Sequence, residues 1–157
     1  MRKYYTFLIA VVVIVVDQLI KYLVLSRLYF AENISIISHY LSLTKVYNTG
    51  AAFSLFENST TLLTIFSLIV SIVIIVYIIR RNTVIELPFL LAWGLILGGT
   101  VGNFIDRLMY GYVIDFIKLD FIQFPIFNIA DLSINLGAFI VIAYSFIKYR
   151  KSLLETK

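Results

Sequence analysis

A few polar residues in an otherwise apolar chain stand at spacings that could do chemistry. Asp17 and Lys21 lie four positions apart in DQLIK, and Asn103 and Arg107 repeat that interval in GNFIDR. Asn128 and Asp131 are three apart in FNIAD, and Asp115 sits in VIDF between Ile114 and Phe116. Intervals of three and four put side chains on one face of a helix. No cysteine is present, which excludes a thiolate nucleophile, a thiolate zinc site and a disulfide framework. A Ser/His/Asp triad would need the single histidine, His39, as its base, and the residues around it do not resemble one. Zinc hydrolysis wants two or three ligands at helical spacing, as in HExxH, and one histidine does not supply them. Paired carboxylates remain: two aspartates sharing one proton can activate a water and protonate a leaving amine. The titration of such a pair belongs to the pair. A helix N-terminus attracts negative charge, so the asymmetry leans towards Asp131 as the carboxylate and Asp115 as the acid. Composition and spacing allow such a dyad without requiring it.

Each of these residues also has a purely structural reading. Asp17 and Lys21 can neutralise each other across one helical turn. Arg107 can either snorkel to an interface or pair with a neighbouring carboxylate, and the carboxylate is the expected partner. Asn128 and Asp131 form a capping-box pattern, amide at N-cap and acid at N3. Asp120 has apolar neighbours much like those of Asp115, so setting alone does not separate the two. His39 reads as a surface residue, TGAAF (49–53) as a turn of small residues, and Gly98, Gly99 and Gly102 as close helix packing in a membrane.

The elements that must position these groups follow from hydropathy. Of 157 residues, 61% are hydrophobic and 14% charged, far from the roughly one-quarter charged of a soluble domain. A helix needs ~20 apolar residues to cross the hydrocarbon core. TTLLTIFSLIVSIVIIVYII, residues 60–79, fits without a single charge. Further spans are expected at about 5–25, 84–105 (with Pro88 in its first turn) and 128–147. The whole chain, 1–157, reads as one integral membrane domain, with no repeat or linker inside it. A cleaved signal peptide is discounted, since Asp17 and Lys21 interrupt a long apolar run and no small-x-small site follows.

The net charge of +4 would suggest nucleic acid only with a basic face or stripe. Instead the basic residues gather at three places: Arg2 and Lys3, Arg80 and Arg81, and Lys148, Arg150, Lys151 and Lys157. These mark cytoplasmic ends, so both termini are expected inside and the connections at about 26–59 and 106–127 outside. LSLTKVYN (41–48) alternates as a strand does, and YVIDFIKLDFIQF (112–124) reads as extended or interfacial, which together predict a small β-containing cap on the outer leaflet. Asp17, Lys21, Asn48, Asn103, Asp106, Arg107, Asp115, Asn128 and Asp131 then all map near the outer interface. Ionisable groups in membrane segments are rare and usually face a bundle interior or wet cavity.

Taken in order, DQLIK (17–21), NTGAAF (48–53), GNFIDR (102–107), VIDF (113–116) and FNIAD (127–131) resemble the lipoprotein signal peptidase family, signal peptidase II. The motifs span residues 17–131, and the only variation is Ile in VIDF where valine is common. The resemblance implies a four-helix membrane aspartic protease that removes signal peptides from prolipoproteins, cutting just before a diacylglyceryl-modified cysteine. By motif Asp115 and Asp131 are the catalytic dyad. Asn48, Gly50, Asn103, Arg107 and Asn128 line the pocket, Asp17 and Lys21 support it, and Asp106 is structural. It implies a bacterial cytoplasmic membrane protein with no metal or organic cofactor, acting on a lipid-modified substrate among membrane lipids. A site built from one chain needs no partner, so a monomer is expected, and the clustered basic residues give no reason to expect a nucleic-acid partner. Two other classes compete: a small transporter or channel subunit, which predicts polar groups through the membrane depth, and a structural partner whose polar groups only glue helices.

Overall fold

The computed structural model describes residues 3–50, 59–80 and 86–155. Four helices run through it: α1 (Lys3–Arg27), α2 (Thr60–Arg80), α3 (Leu87–Tyr110) and α4 (Ile129–Glu155). All four are long and apolar enough to cross a membrane. Three strands, β1 (Asn33–Ile37), β2 (Leu41–Asn48) and β3 (Val113–Leu119), make one antiparallel sheet in the order β1-β2-β3.

The predicted spans are all present, and two run further than hydropathy suggested. α3 was expected to stop near Ile105 but continues to Tyr110, because Asn103, Asp106 and Arg107 sit inside the helix with partners of their own. It ends where Gly111 takes φ 77° and returns its N–H to the Arg107 carbonyl, a left-handed cap that a residue with a Cβ adopts only at a cost. At its start Glu86 is extended and Pro88 lies in the first turn; residues 84 and 85 lie outside the described residues. α4 runs on past Ile147 through the basic segment to Glu155, since charged residues end an apolar run without ending a helix.

α3 is the central helix, packed against α1, α2 and α4. Its glycines make this possible. A Cβ at Gly98 would meet Val13 of α1 at 2.6 Å, and one at Gly99 would collide with the Ala130 carbonyl oxygen of α4. Gly137 of α4 in turn lies against the Ala92 carbonyl, 2.7 Å from where its Cβ would stand. The apolar core joins Ala10, Ile74, Ile78, Leu90 and Leu97. Ser67, Ser71 and Thr100 are buried among these helices, and each bonds the carbonyl four residues back, so these three hydroxyls stay satisfied. The fully buried Thr6 hydroxyl of α1, by contrast, has no hydrogen-bond partner among the described residues.

The sheet caps one end of the bundle. β2 coincides with the alternating segment read from the sequence, and β3 occupies the first part of the aromatic segment. β1 was not anticipated: all five of its residues are exposed, so it carries no burial pattern. Leu43 faces Ile117 and Val46 faces Asp115, so Thr44 and Lys45 together oppose Phe116, forming a bulge. Lys45 is buried. From this bulge its ammonium reaches the carbonyls of Leu25 and Leu28 at the end of α1, where positive charge complements the helix dipole. A second core cluster of Val24, Ile114 and Phe116 seals the sheet onto the bundle. Beyond β3 the chain turns back, and Phe127 pairs with Ile117 through N–H to O distances of 2.8 and 3.1 Å.

Candidate active site

Asp115 and Asp131 reach the same place from different layers. Asp115 is central in β3 and only 2% exposed. Its Oδ2 accepts from Asn48 Nδ2 at the end of β2 (2.9 Å), and its Oδ1 from Asn128 Nδ2 (2.7 Å). Asp131 stands in the first turn of α4. Its Oδ1 accepts from Asn103 Nδ2 of α3 at 2.8 Å, and its Oδ2 from the Asn128 backbone N–H at 3.2 Å. The Asp131 N–H returns a bond to Asn128 Oδ1 at 2.9 Å, completing the reciprocal capping box expected from the spacing. Asn128, fully buried, therefore touches Asp115 with its amide and Asp131 with its backbone. The capping and site readings of FNIAD describe the same atoms.

Behind the pair lies a charged cluster. Lys21, 1% exposed, bonds Asp17 Oδ2 and Asp106 Oδ2 at 2.8 Å each and donates to Asn103 Oδ1 at 3.0 Å. The expected Asp17–Lys21 pairing is thus present, and Asp106 joins it. Gln18 Nε2 braces the cluster, 2.8 Å from Asp106 Oδ1 and 3.2 Å from the Gly102 carbonyl. Gly102 is glycine because a Cβ there would stand 2.7 Å from Asp17 Oδ2. Sequence reasoning missed Gln18, whose signal is a second polar residue beside Asp17 within an apolar span.

Arg107 departs from expectation. Among the described residues it forms no ion pair with a carboxylate; its Nη2 approaches the Gly50 carbonyl at 3.4 Å, and its buried Nε has no hydrogen-bond partner. The candidate carboxylates are engaged elsewhere, Asp106 by Lys21 and the other two by asparagine amides. The guanidinium still lies in the field of Asp131, Asp115 and Asp106. Gly50 also donates its N–H to Asn48 Oδ1 at 2.9 Å, so Asn48, Gly50 and Arg107 form one edge of the site. Ala51, Ala52 and Phe53 of the NTGAAF motif lie outside the described residues.

Burial first, then the neighbouring charge of Asp131, push the Asp115 carboxyl from its ordinary 3.8 up to about 7, against the pull of the Asn48 and Asn128 amides and Lys21. Asp120, indistinguishable by setting in the sequence, behaves oppositely. It lies at the exposed end of β3, and the Ser42 hydroxyl and Lys118 hold it below the usual carboxylate range. His39 sits exposed at the β1–β2 turn with φ 66°. Among the described residues no three His, Asp or Glu side chains gather as a metal site. Among the described residues the buried charged side chains, Asp17, Lys21, Lys45, Asp106 and Asp115, all lie at the sheet end of the bundle. A pathway through the membrane would instead line its midplane.

Comparison with known proteins gives a consistent result. Residues 9–147 match the family model described as signal peptidase (SPase) II. The lipoprotein signal peptidase of Francisella tularensis subsp. novicida is 43% identical over 155 residues, covering 93% of this chain and 94% of that protein. That of Enterococcus faecalis is 38% identical over 138 residues, covering 88% and 85%. A bacterial membrane enzyme solved by the in meso method at 2.3 Å resolution superposes with a TM-score of 0.86 at 33% identity, over 92% of this chain and 88% of its own. A second, at 1.9 Å resolution, gives 0.79 and 34%, over 88% and 90%.

Proposed function

The chain belongs to the signal peptidase II family, and from that premise we propose that it is an aspartic endopeptidase. In this reading it removes the signal peptide from diacylglyceryl-modified prolipoproteins, cutting just before the lipidated cysteine. One observation carries the mechanism: two carboxylates from separate layers, Asp115 on the sheet and Asp131 on α4, are held in one hydrogen-bonded network by Asn128. The upward push on Asp115 suits it to hold the proton that the reaction needs. Asp131, at a helix N-terminus and bonded by Asn103, is suited to be the carboxylate.

In the forward step Asp131 takes a proton from water as the oxygen attacks the carbonyl carbon before the cysteine. Asp115 gives its proton to the carbonyl oxygen, which becomes a hydroxyl of the tetrahedral intermediate. The leaving amine then takes the proton held on Asp131, the C–N bond breaks, and the hydroxyl proton returns to Asp115. Both aspartates end as they began, and one water has been consumed. Asn48, Gly50 and Arg107, along one edge of the site, bind the extended substrate backbone, with Arg107 bonding a carbonyl or stabilising developing charge.

Sidedness follows from charge. Lys3, Arg80, Lys148, Arg150 and Lys151 lie at the end away from the sheet, which assigns that end and both termini to the cytoplasm. The dyad then faces the outer leaflet, where a lipid-anchored cysteine presents its peptide bond. All the groups named come from one chain, so a monomer is sufficient.

The test is cleavage of a lipid-modified prolipoprotein by the purified protein in detergent or bilayer. Asp115→Asn and Asp131→Asn are each expected to abolish cleavage, with EDTA leaving the parent protein unaffected. Full activity in either variant would sink the dyad, and loss with chelator would point to a metal.

A further inference from the structure

Asp17, Lys21 and Asp106 are buried, ionic and take no part in the proton transfers above. Charges in the apolar end of a bundle are costly unless closely paired and hydrogen-bonded, so what they hold is informative. Asp17 Oδ1 accepts the backbone N–H of Ala130 at 2.9 Å, and Asp106 Oδ2 accepts that of Ile114 at 3.1 Å. Ala130 immediately precedes Asp131, and Ile114 immediately precedes Asp115. Both carboxylates converge on the same Lys21 ammonium, at 2.8 Å each. A continuous path therefore runs from the α4 backbone through Asp17, Lys21 and Asp106 to the β3 backbone, ending one residue short of the dyad on both sides.

We propose that Asp17, Lys21 and Asp106 are positioning residues that set the separation of the two dyad carboxylates by gripping the backbone beside each. Three further features fit this role. Gln18 donates to Asp106 at 2.8 Å and lies 3.3 Å from Asp17 Oδ2, so the two grips are braced to each other. Gly102 leaves the space that the Asp17 carboxylate occupies. Lys21 also donates to Asn103 Oδ1, as does Asn128 Nδ2 at 3.1 Å. A flipped Asn103 amide would set its NH₂ against an ammonium and another NH₂, so its Nδ2 is committed to Asp131. The separation matters because one water and one proton must serve both carboxylates. A displacement of about 1 Å from a change outside the chemistry can cost about 10²-fold in rate.

This inference rests on the dyad reading, and the experiment separates the two. Asp17→Ala, Asp17→Asn, Asp106→Ala and Asp106→Asn are made in the full chain, and kcat and KM for prolipoprotein cleavage are measured per folded molecule. The alanine variants are expected to lose about 10²-fold in kcat with KM nearly unchanged. The asparagine variants, which keep an oxygen for the backbone N–H, should retain roughly ten times more activity than alanine. Equal losses in alanine and asparagine variants would mean that charge matters and position does not, which overturns the proposal. Unchanged kcat per folded molecule in the alanine variants would reduce the cluster to fold maintenance and overturn it also. If the alanine variants do not fold, Gly102→Ala decides: it displaces the Asp17 carboxylate without removing a charge, and kcat should fall with KM held. Unchanged kcat in Gly102→Ala overturns the proposal. Activity surviving in Asp115→Asn or Asp131→Asn would instead remove the dyad itself.

Discussion

Replacing Asp115 by asparagine should abolish cleavage and, near neutral pH, make the protein harder to unfold. The carboxyl is raised from 3.8 to about 7 in the folded chain, so the native state holds this proton more tightly than the unfolded state does. Its contribution to stability is therefore fully present below pH ~3.8, declines as pH rises through the window up to about 7, and is flat above it. A shift of about 3 units at ~1.4 kcal/mol each amounts to roughly 4 kcal/mol lost by the parent protein across that window. Asparagine has no proton to lose. It does turn an NH₂ towards one of the two amides that now donate to the carboxylate, from Asn48 and Asn128. That costs about 1–3 kcal/mol at every pH and cancels when the Asn-minus-Asp difference is compared between two pH values. The assay is thermal unfolding of both proteins in the same detergent from pH 4.5 to 8.5. About 3 kcal/mol of that loss falls between pH 4.5 and 8.5. At about 2–4 °C per kcal/mol for a chain of this size, Tm of the variant relative to the parent should therefore climb by roughly 6–12 °C from the acid end of the range to the alkaline end. A difference in Tm that stays constant with pH, or falls as pH rises, would refute the reasoning.

Other consequences are equally open to measurement. Gly99→Ala forces a methyl into the Ala130 carbonyl and should destabilise the α3–α4 contact by about 1–3 kcal/mol, seen as a lower Tm. Lys45→Met keeps the side-chain length but drops the bonds to the end of α1; a loss of about 1–3 kcal/mol should appear as faster amide exchange across residues 41–48. Arg107→Lys cannot supply a bidentate grip, and a fall in turnover of about tenfold or more is expected if the guanidinium binds a substrate carbonyl. Unchanged turnover would remove that role.

The helices were legible because an apolar run long enough to span a membrane has few other uses. Their ends were less so: hydropathy stops at Ile105 and Ile147, whereas α3 continues to its cap at Gly111 and α4 runs on through the basic segment to Glu155. β2 could be read from its alternation, but β1 could not, since NISII buries nothing. Within the site, local pairs were readable from spacing, as for Asp17 with Lys21 and Asn128 with Asp131. Contacts between Asp17 and Ala130, or between Asp106 and Ile114 across a cap glycine, depend on how helices and sheet dock. No periodicity records that. Asp115 and Asp120 showed the same limit. Five positions apart with similar neighbours, they differ because one points under the sheet and the other ends it.

The pairing of Phe127 with Ile117 has a consequence for how this chain can vary. Three backbone bonds close the return between β3 and α4 at its base, on the side nearer to both Asp115 and Asp131. Residues beyond that closure, 121–126, touch the rest of the chain through ring contacts of Phe121 with Tyr40 and of Phe124 with Phe127, while the hydrogen bonds to the two carboxylates come from Asn48, Asn103 and Asn128. Length and composition can drift there, or a reporter can be spliced in, while the two acids keep their mutual address. Equal freedom does not extend to the residues between Phe127 and Asp131, where one insertion would rotate α4 by about 100° and carry the second carboxylate off the site.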